Sequence, residues 1–304
     1  MRYLNYNTLL RDEFSERVQK LSINAGFTCP NRDGSKGTGG CTYCNNQSFV
    51  PEYAKPVKSV YEQVKEGIDF FDHKYKAQKY LAYFQSYTNT YDSIENLIEI
   101  YEEALKHPKV VGIVVGTRPD CVDDKLLDYF AELNKSYYVM IEYGIESTLN
   151  STLDFINRGH TYEDAEEAII KTHNKGIRTG AHLILGLPKE NREEILNHAK
   201  KTSKLPLTIL KLHQLQLIKG TKMARQFNEN PEWFHLMGVE EYIELVVDFL
   251  EILNPKIAIE RFVSQSPDQL LIAPNWGLKN FEFVHKIEKR LEERDTWQGR
   301  LFKP

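Results

Sequence analysis

The 304-residue chain predicts an α/β fold, a partial (β/α)6 barrel with a C-terminal extension. Three observations carry this. Short β-branched runs alternate with amphipathic helical stretches, the pattern of successive βα units feeding a parallel sheet. The run 110–115 is almost continuously apolar, as a strand buried on both faces requires. Six such units fit before the pattern changes near residue 217, which makes an open barrel rather than a closed eight-stranded one.

The elements follow in order. Residues 18–24 read as the first strand, and a long loop carrying three cysteines comes after it. Val60, Val64, Ile68 and Phe71 recur at helical spacing. Residues 80–85 form strand two. Ser93 caps a helix bearing Ile94, Leu97, Ile98, Tyr101 and Leu105. Strand three is 110–115, a helix covers 126–133, and strand four is 137–141. Thr161 with Asp164 makes a capping box for a helix that Gly176 ends. Strand five is 181–185. Asn191 with Glu194 opens the next helix, and strand six is 209–217.

Beyond strand six, Tyr242, Leu245, Val246, Phe249, Leu250 and Leu253 mark an amphipathic helix stopped by Pro255. Residues 257–259 offer a seventh strand, and 281–291 a last helix. No Gly/Ser linker or internal repeat divides the chain. We expect a core over 1–220 and an extension over 221–304 packed on it.

Composition narrows the function classes. No run approaches the roughly 18 apolar residues of a membrane span, and the first residues, with Arg2, Arg11, Asp12 and Glu13, are no secretory signal. A cytoplasmic protein is expected. The formal net charge of -4 argues against a strongly basic nucleic-acid binder, but a local basic groove can sit on an acidic protein. Lys200, Lys201 and Lys204, and the tail residues Lys286, Lys289, Arg290, Arg294 and Arg300, read as solvated helix faces.

Of the four cysteines, Cys29, Cys41 and Cys44 share one loop, and Cys121 stands apart. In a reducing compartment such a cluster points to a metal or an iron–sulfur group rather than disulfides. Cys41 and Cys44 are spaced to reach one centre. Eleven residues with four glycines separate Cys29 from Cys41, and such backbone can fold tightly around an inorganic group. Three ligands are informative. A structural zinc site takes four, and a four-iron cluster bound by three thiolates keeps one iron open. A zinc site completed by Cys121 or a histidine, in a zinc-stabilised binding module, is the alternative reading.

With this loop placed after strand one, the chain resembles the radical S-adenosylmethionine (SAM) superfamily. Its C-x11-C-x2-C spacing departs from the usual C-x3-C-x2-C and resembles the YhcC/YtqA-like subgroup. More loosely it is similar to the radical SAM domain of the Elongator catalytic subunit. The likeness rests on Asn24-Ala25-Gly26-Phe27-Thr28-Cys29-Pro30-Asn31-Arg32-Asp33-Gly34, then Phe84-Gln85-Ser86-Tyr87-Thr88-Asn89-Thr90-Tyr91 and Gly116-Thr117-Arg118-Pro119-Asp120. It continues in Lys211-Leu212-His213-Gln214-Leu215, Ala273-Pro274-Asn275-Trp276 and Gln298-Gly299.

The resemblance implies a [4Fe–4S] cluster on Cys29, Cys41 and Cys44. It implies reductive cleavage of SAM to methionine and a 5′-deoxyadenosyl radical, which then takes a hydrogen atom from the substrate. The protein's part is to position the cofactors and exclude water. By comparison with the oxygen-independent coproporphyrinogen oxidase pattern, Gln85 and Ser86 stand at the SAM amino group. Glu146 stands at the ribose, Arg158 at the SAM carboxylate, His182 facing the nucleoside and Gly186 in the turn that passes the adenine. Arg118 and His213 are candidate substrate contacts. The implied partners are a one-electron reductant such as flavodoxin or ferredoxin, and tRNA, with a wobble uridine as the substrate that the Elongator likeness suggests.

Overall fold

The computed structural model describes residues 1–45, 51, 53–73 and 78–304. Its main sheet has seven parallel strands in the order β1 (Arg17–Ile23), β2 (Gln78–Phe84), β3 (Val110–Thr117), β4 (Tyr138–Glu146), β5 (Arg178–Leu185), β6 (Ile209–Gln214) and β8 (Ala258–Arg261). The sheet curls. β1 and β8 are its two edges, yet Lys20 of β1 reaches Glu260 of β8 at 2.6 Å. This is the expected partial barrel, with the seventh strand supplied by the extension.

Helices α2 (Val60–Asp72), α3 (Ile94–Leu105), α4 (Asp124–Leu133), α6 (Tyr162–Asn174) and α7 (Arg192–Thr202) connect the strands. The caps read from the sequence form as expected: Ser93 accepts from the Asn96 N–H, and Thr161–Asp164 and Asn191–Glu194 are complete capping boxes. The outward faces of the strands and the inward stripes of these helices make one continuous apolar core, including Phe84, Tyr101, Ile113, Phe130 and Ile169. In the extension, α9 (Val239–Ile252) packs on α7 and on α10 (Asn280–Glu293).

Three features depart from the sequence expectation. Strand six stops at Gln214, and β7 (Leu217–Ile218) instead pairs antiparallel with β9 (Leu271–Ala273) in a separate two-stranded sheet. Strand four runs on past residue 141 to Glu146. Its charged second half hid it from an apolar-run criterion. Finally, α1 (Tyr6–Phe14), α5 (Asn150–Phe155) and α8 (Lys222–Glu229) went unread, being short.

The inside of the barrel is layered. At the N-terminal ends of the strands, α1 plugs the bore. Tyr6 and Leu10 pack there with Val18, Leu81, Val114 and Met140. One turn higher the filling changes from apolar to charged. Lys20 donates to Glu142 and Glu260, both at 2.6 Å, and Lys211 lies 2.5 Å from Glu142 and 3.2 Å from Glu260. Tyr83 closes this layer, with the Lys211 ammonium 4.4 Å from its ring centre. Above the layer lie the C-terminal strand ends, where ligands bind in folds of this kind.

Candidate active site

The cysteine loop folds back on itself. The N–H groups of Arg32 and Asp33 donate to the Cys29 carbonyl, and that of Gly40 donates to the Asn31 carbonyl at 2.8 Å. Asp33 and Thr38 form a bridge. The long spacer is therefore a compact hairpin that returns the chain to Cys41 beside Cys29. Gly40 is needed there: its φ is +73°, and a Cβ would meet Arg32 Nε at 2.8 Å. Arg32 in turn donates to the Cys44 carbonyl at 3.0 Å. Buried Asn31 ties the loop to the barrel through the Asn157 carbonyl at 2.6 Å and approaches Cys41 Sγ at 3.7 Å.

A cleft of about 210 Å³ lies between this loop and the strand ends. Cys29, Cys41 and Cys44 line it, as do Gln85, Glu146 and Arg158. Arg118, His182 and His213 line it too. Two predicted residues lie elsewhere. Ser86 is buried but forms no part of the lining. Gly186 turns at φ +89° against Met237, where a Cβ would meet Cε at 2.7 Å, so it serves packing. Cys121 is likewise outside the cleft, with burial pushing its thiol up to about 12. Among the described residues, no group of three His, Cys, Asp or Glu side chains is placed to hold a single metal ion.

Arg158 is the pivot of the cleft. It follows α5, and its guanidinium turns inward to donate to the Gly144 carbonyl at 2.6 Å and to Cys41 Sγ at 3.5 Å. Glu146 lies 3.8 Å away. The guanidinium thus faces β4 and the cysteine loop, not Asp154 of the preceding helix. Gly144 makes room for this: a Cβ there would meet both the Arg158 and the Glu146 side chains at 2.6 Å. Burial works against the cation, but Tyr43, Cys41 and Glu146 outweigh it, so Arg158 stays charged. Its Nε is buried without a partner. Glu146 (φ +69°) and Tyr87 (φ +63°) hold left-handed backbone at the rim, a conformation that non-glycine residues adopt mainly where the surroundings impose it.

Two histidines form the opposite wall. The His182 and His213 rings stack 5.6 Å apart. His182 Nε2 is 2.9 Å from Glu142. Burial, then Lys211, lowers its pKa, so the neutral ring donates Nε2–H to the carboxylate. Burial and Arg261 push His213 well below the usual imidazole range, and its Nε2 has no partner. Arg118, by contrast, is fully engaged. It makes a two-pronged pair with Asp120 at 2.9 and 3.0 Å, and donates to the Arg158 carbonyl at 2.8 Å. It positions Arg158.

Sequence reading missed Asn31, Arg32 and the Lys20–Glu142–Lys211–Glu260 layer under the cleft. A signal existed for the last: Ile141-Glu142-Tyr143 and Leu210-Lys211-Leu212 place a charge inside an apolar strand run.

A parallel, curled sheet with a three-cysteine loop over its C-terminal edge defines a class, and family models agree. Residues 28–202 match the radical SAM superfamily and residues 207–293 the radical SAM C-terminal domain. The chain belongs to the radical SAM superfamily, whose members are enzymes using a [4Fe–4S] cluster and SAM. Within it, the chain is 36% identical to protein YtqA of Bacillus subtilis (strain 168), over 99% of this chain and 93% of that one. It is 24% identical to a tRNA uridine(34) acetyltransferase of Methanocaldococcus jannaschii, over 66% of this chain and 36% of that protein. A solved Methanocaldococcus infernus Elp3 shares the fold, with a TM-score of 0.69 and 17% identity over 92% of this chain and 64% of that one.

Proposed function

We propose that Cys29, Cys41 and Cys44 hold the [4Fe–4S] cluster, that SAM fills the cleft with its carboxylate on Arg158, and that the substrate is a uridine at the tRNA wobble position. One observation carries the site assignment. Three thiols share a single cleft with a buried guanidinium whose Nε lacks a partner. That donor set fits a sulfide-rich cluster beside an anionic co-ligand, because a buried cation with an unused N–H is costly unless an anion meets it. When bound, the cluster supplies one electron to SAM and so releases the 5′-deoxyadenosyl radical.

This chain's residues do the rest. Asn31 and Arg32 fix the loop that presents the thiols. Arg118 holds the Arg158 backbone, and Gly144 admits the guanidinium. Gln85 and Glu146, at the ends of β2 and β4, offer an amide and a carboxylate to the amino and ribose groups of SAM. His182, locked as a neutral donor by Glu142, and His213, with a free buried nitrogen, face the far side of the cleft, where the nucleoside and substrate meet. Radical SAM enzymes draw their electron from a reductant, and a flavodoxin or ferredoxin fits this need. The wobble uridine rests on the likeness to the tRNA uridine(34) acetyltransferase.

Three measurements test the reading. Protein reconstituted anaerobically is expected to hold about four irons, and a triple Cys29→Ala, Cys41→Ala, Cys44→Ala variant none. Dithionite-reduced protein should form 5′-deoxyadenosine from SAM, and the variant should form none. Unchanged iron in the variant would refute the ligand assignment. Mass spectrometry of tRNA nucleosides from a strain lacking the gene tests the substrate: an unaltered wobble uridine profile would sink it.

A further inference from the structure

The molecule has an opening larger than the cleft. A groove of about 1450 Å³ runs along the open side of the barrel, between β1 and β8, with α1 below and α2 beside it. Tyr83, Gln85 and Arg261 line both groove and cleft, so the two adjoin across these three side chains. A substrate too large for a 210 Å³ cleft has this route to it.

The groove is basic on an acidic protein. Among its described lining residues only Glu66 and Glu260 are acidic, and both are paired: Glu66 with Lys58 at 2.6 Å, and Glu260 with Lys20 at 2.6 Å and Lys211 at 3.2 Å. Arg11, Lys55 and Arg261 line it as well, and none makes an ion pair among the described residues. Arg11 and Lys55 are exposed. The contrast with the tail is informative. There Lys286 lies 3.0 Å from Glu240, Arg290 2.5 Å from Glu244 and Arg294 2.7 Å from Asp248, so those cations are spent on holding α10 to α9. The tail cations face carboxylates, whereas Arg11 and Lys55 of the groove face solvent.

Aromatic surface accompanies the charge. Tyr53 and Phe70 lie 6.4 Å apart in the groove wall, Phe70 is 50% exposed, and the Tyr53 hydroxyl is fixed by the Ser22 N–H. Cations that track a backbone beside flat rings that stack on bases are how single-stranded or looped RNA is held, with the reacting base turned out into a pocket.

We infer that this groove is the RNA-binding surface: Arg11 and Lys55 contact phosphodiesters, and the target base enters the cleft past Tyr83, Gln85 and Arg261. The inference rests on the proposed tRNA reading and adds the surface that seats it. Charge complementarity favours a polyanion over other chains, and the exposed Phe70 ring beside half-buried Tyr53 favours nucleic acid over an acidic peptide.

The test uses cluster-loaded protein and bulk tRNA from a strain lacking the gene, with affinity followed by fluorescence anisotropy across a salt series. A double Arg11→Gln, Lys55→Gln variant is expected to bind on the order of tenfold more weakly at low salt. Its log–log salt slope should flatten by about 1.4–1.8, because two phosphates are no longer neutralised. SAM cleavage without RNA should match wild type, which shows that the site is intact. If wild type binds tRNA and the variant keeps both affinity and slope, the groove assignment is wrong. If wild type cleaves SAM but binds no tRNA, the tRNA reading itself fails. Preference of the wild type for polyglutamate over tRNA would overturn RNA as the occupant.

Discussion

Two levels of the same barrel treat charge in opposite ways. In the middle layer, Lys20, Lys211, Glu142 and Glu260 satisfy one another, and burial is repaid by short contacts within the protein. At the mouth, Arg158 Nε, His213 Nε2 and the Thr42 and Thr88 hydroxyls are buried without partners. A closed charge network fixes a shape. An open one is matched to something that arrives later, since each unmet buried polar group costs roughly 1–3 kcal/mol until it finds a partner. The difference separates the residues that hold the barrel from those at the cleft proposed to take the cofactors.

Glu142 is where this contrast is most easily broken. Burial pushes its carboxyl up, yet Lys20 and Lys211 hold it well below the usual range, so it is ionised. Glu142→Gln leaves two lysines facing one glutamate inside the barrel. The expected loss is about 3–5 kcal/mol, the cost of breaking a buried pair from one side. Anaerobic urea denaturation followed by tryptophan fluorescence reads it as a lower midpoint. An unmoved midpoint would mean that the charged layer does not hold the barrel together.

At the mouth the loss should fall on the ligand. Arg158→Ala, assayed by calorimetry on protein with its full iron content, is expected to weaken SAM binding by about 1.5–3 kcal/mol, or ten- to a hundredfold. Arg158→Lys should recover only part, because an ammonium lacks the planar fork. The approach of Arg158 to Cys41 also predicts slower cluster loading in the alanine variant. Wild-type SAM affinity in a loaded variant would remove Arg158 from the site.

The rim provides the smallest effect and a pH signature. Burial raises the Asp120 pKa, but Arg118 and Lys36 more than reverse this and pull it down to about 2. Its folded value lies below its unfolded one, so the pair contributes fully above about pH 4 and fades as pH falls toward 2. The contribution is about 2 kcal/mol. Asp120→Asn should therefore lower stability at pH 6 and abolish this part of the acid dependence. Equal acid slopes in the two proteins would count against it.

Much of this molecule is written locally. Periodicity gave α2, α3 and α9, because an amphipathic stripe is a property of neighbours three and four residues apart, and capping boxes gave α6 and α7. Caps at Ser93, Thr161 and Asn191 are equally local. Three cysteines in one loop pointed to a metal or an iron–sulfur group, and the motifs that resemble the radical SAM superfamily supplied the chemistry.

What the chain alone did not disclose depends on residues far apart in sequence. Lys20 and Glu260 meet only because the sheet curls, and Lys211 joins them from a strand that looks apolar on both sides. Ser86 and Gly186 have the right neighbours in sequence but miss the cleft lining: both stand just past a strand end, Ser86 buried and Gly186 turned against Met237. The basic groove likewise draws Arg11, Lys55 and Arg261 from a helix, a loop and the last strand of the main sheet. Composition sums charge over the whole chain, giving -4, and only the tertiary structure decides where cations gather without carboxylates beside them.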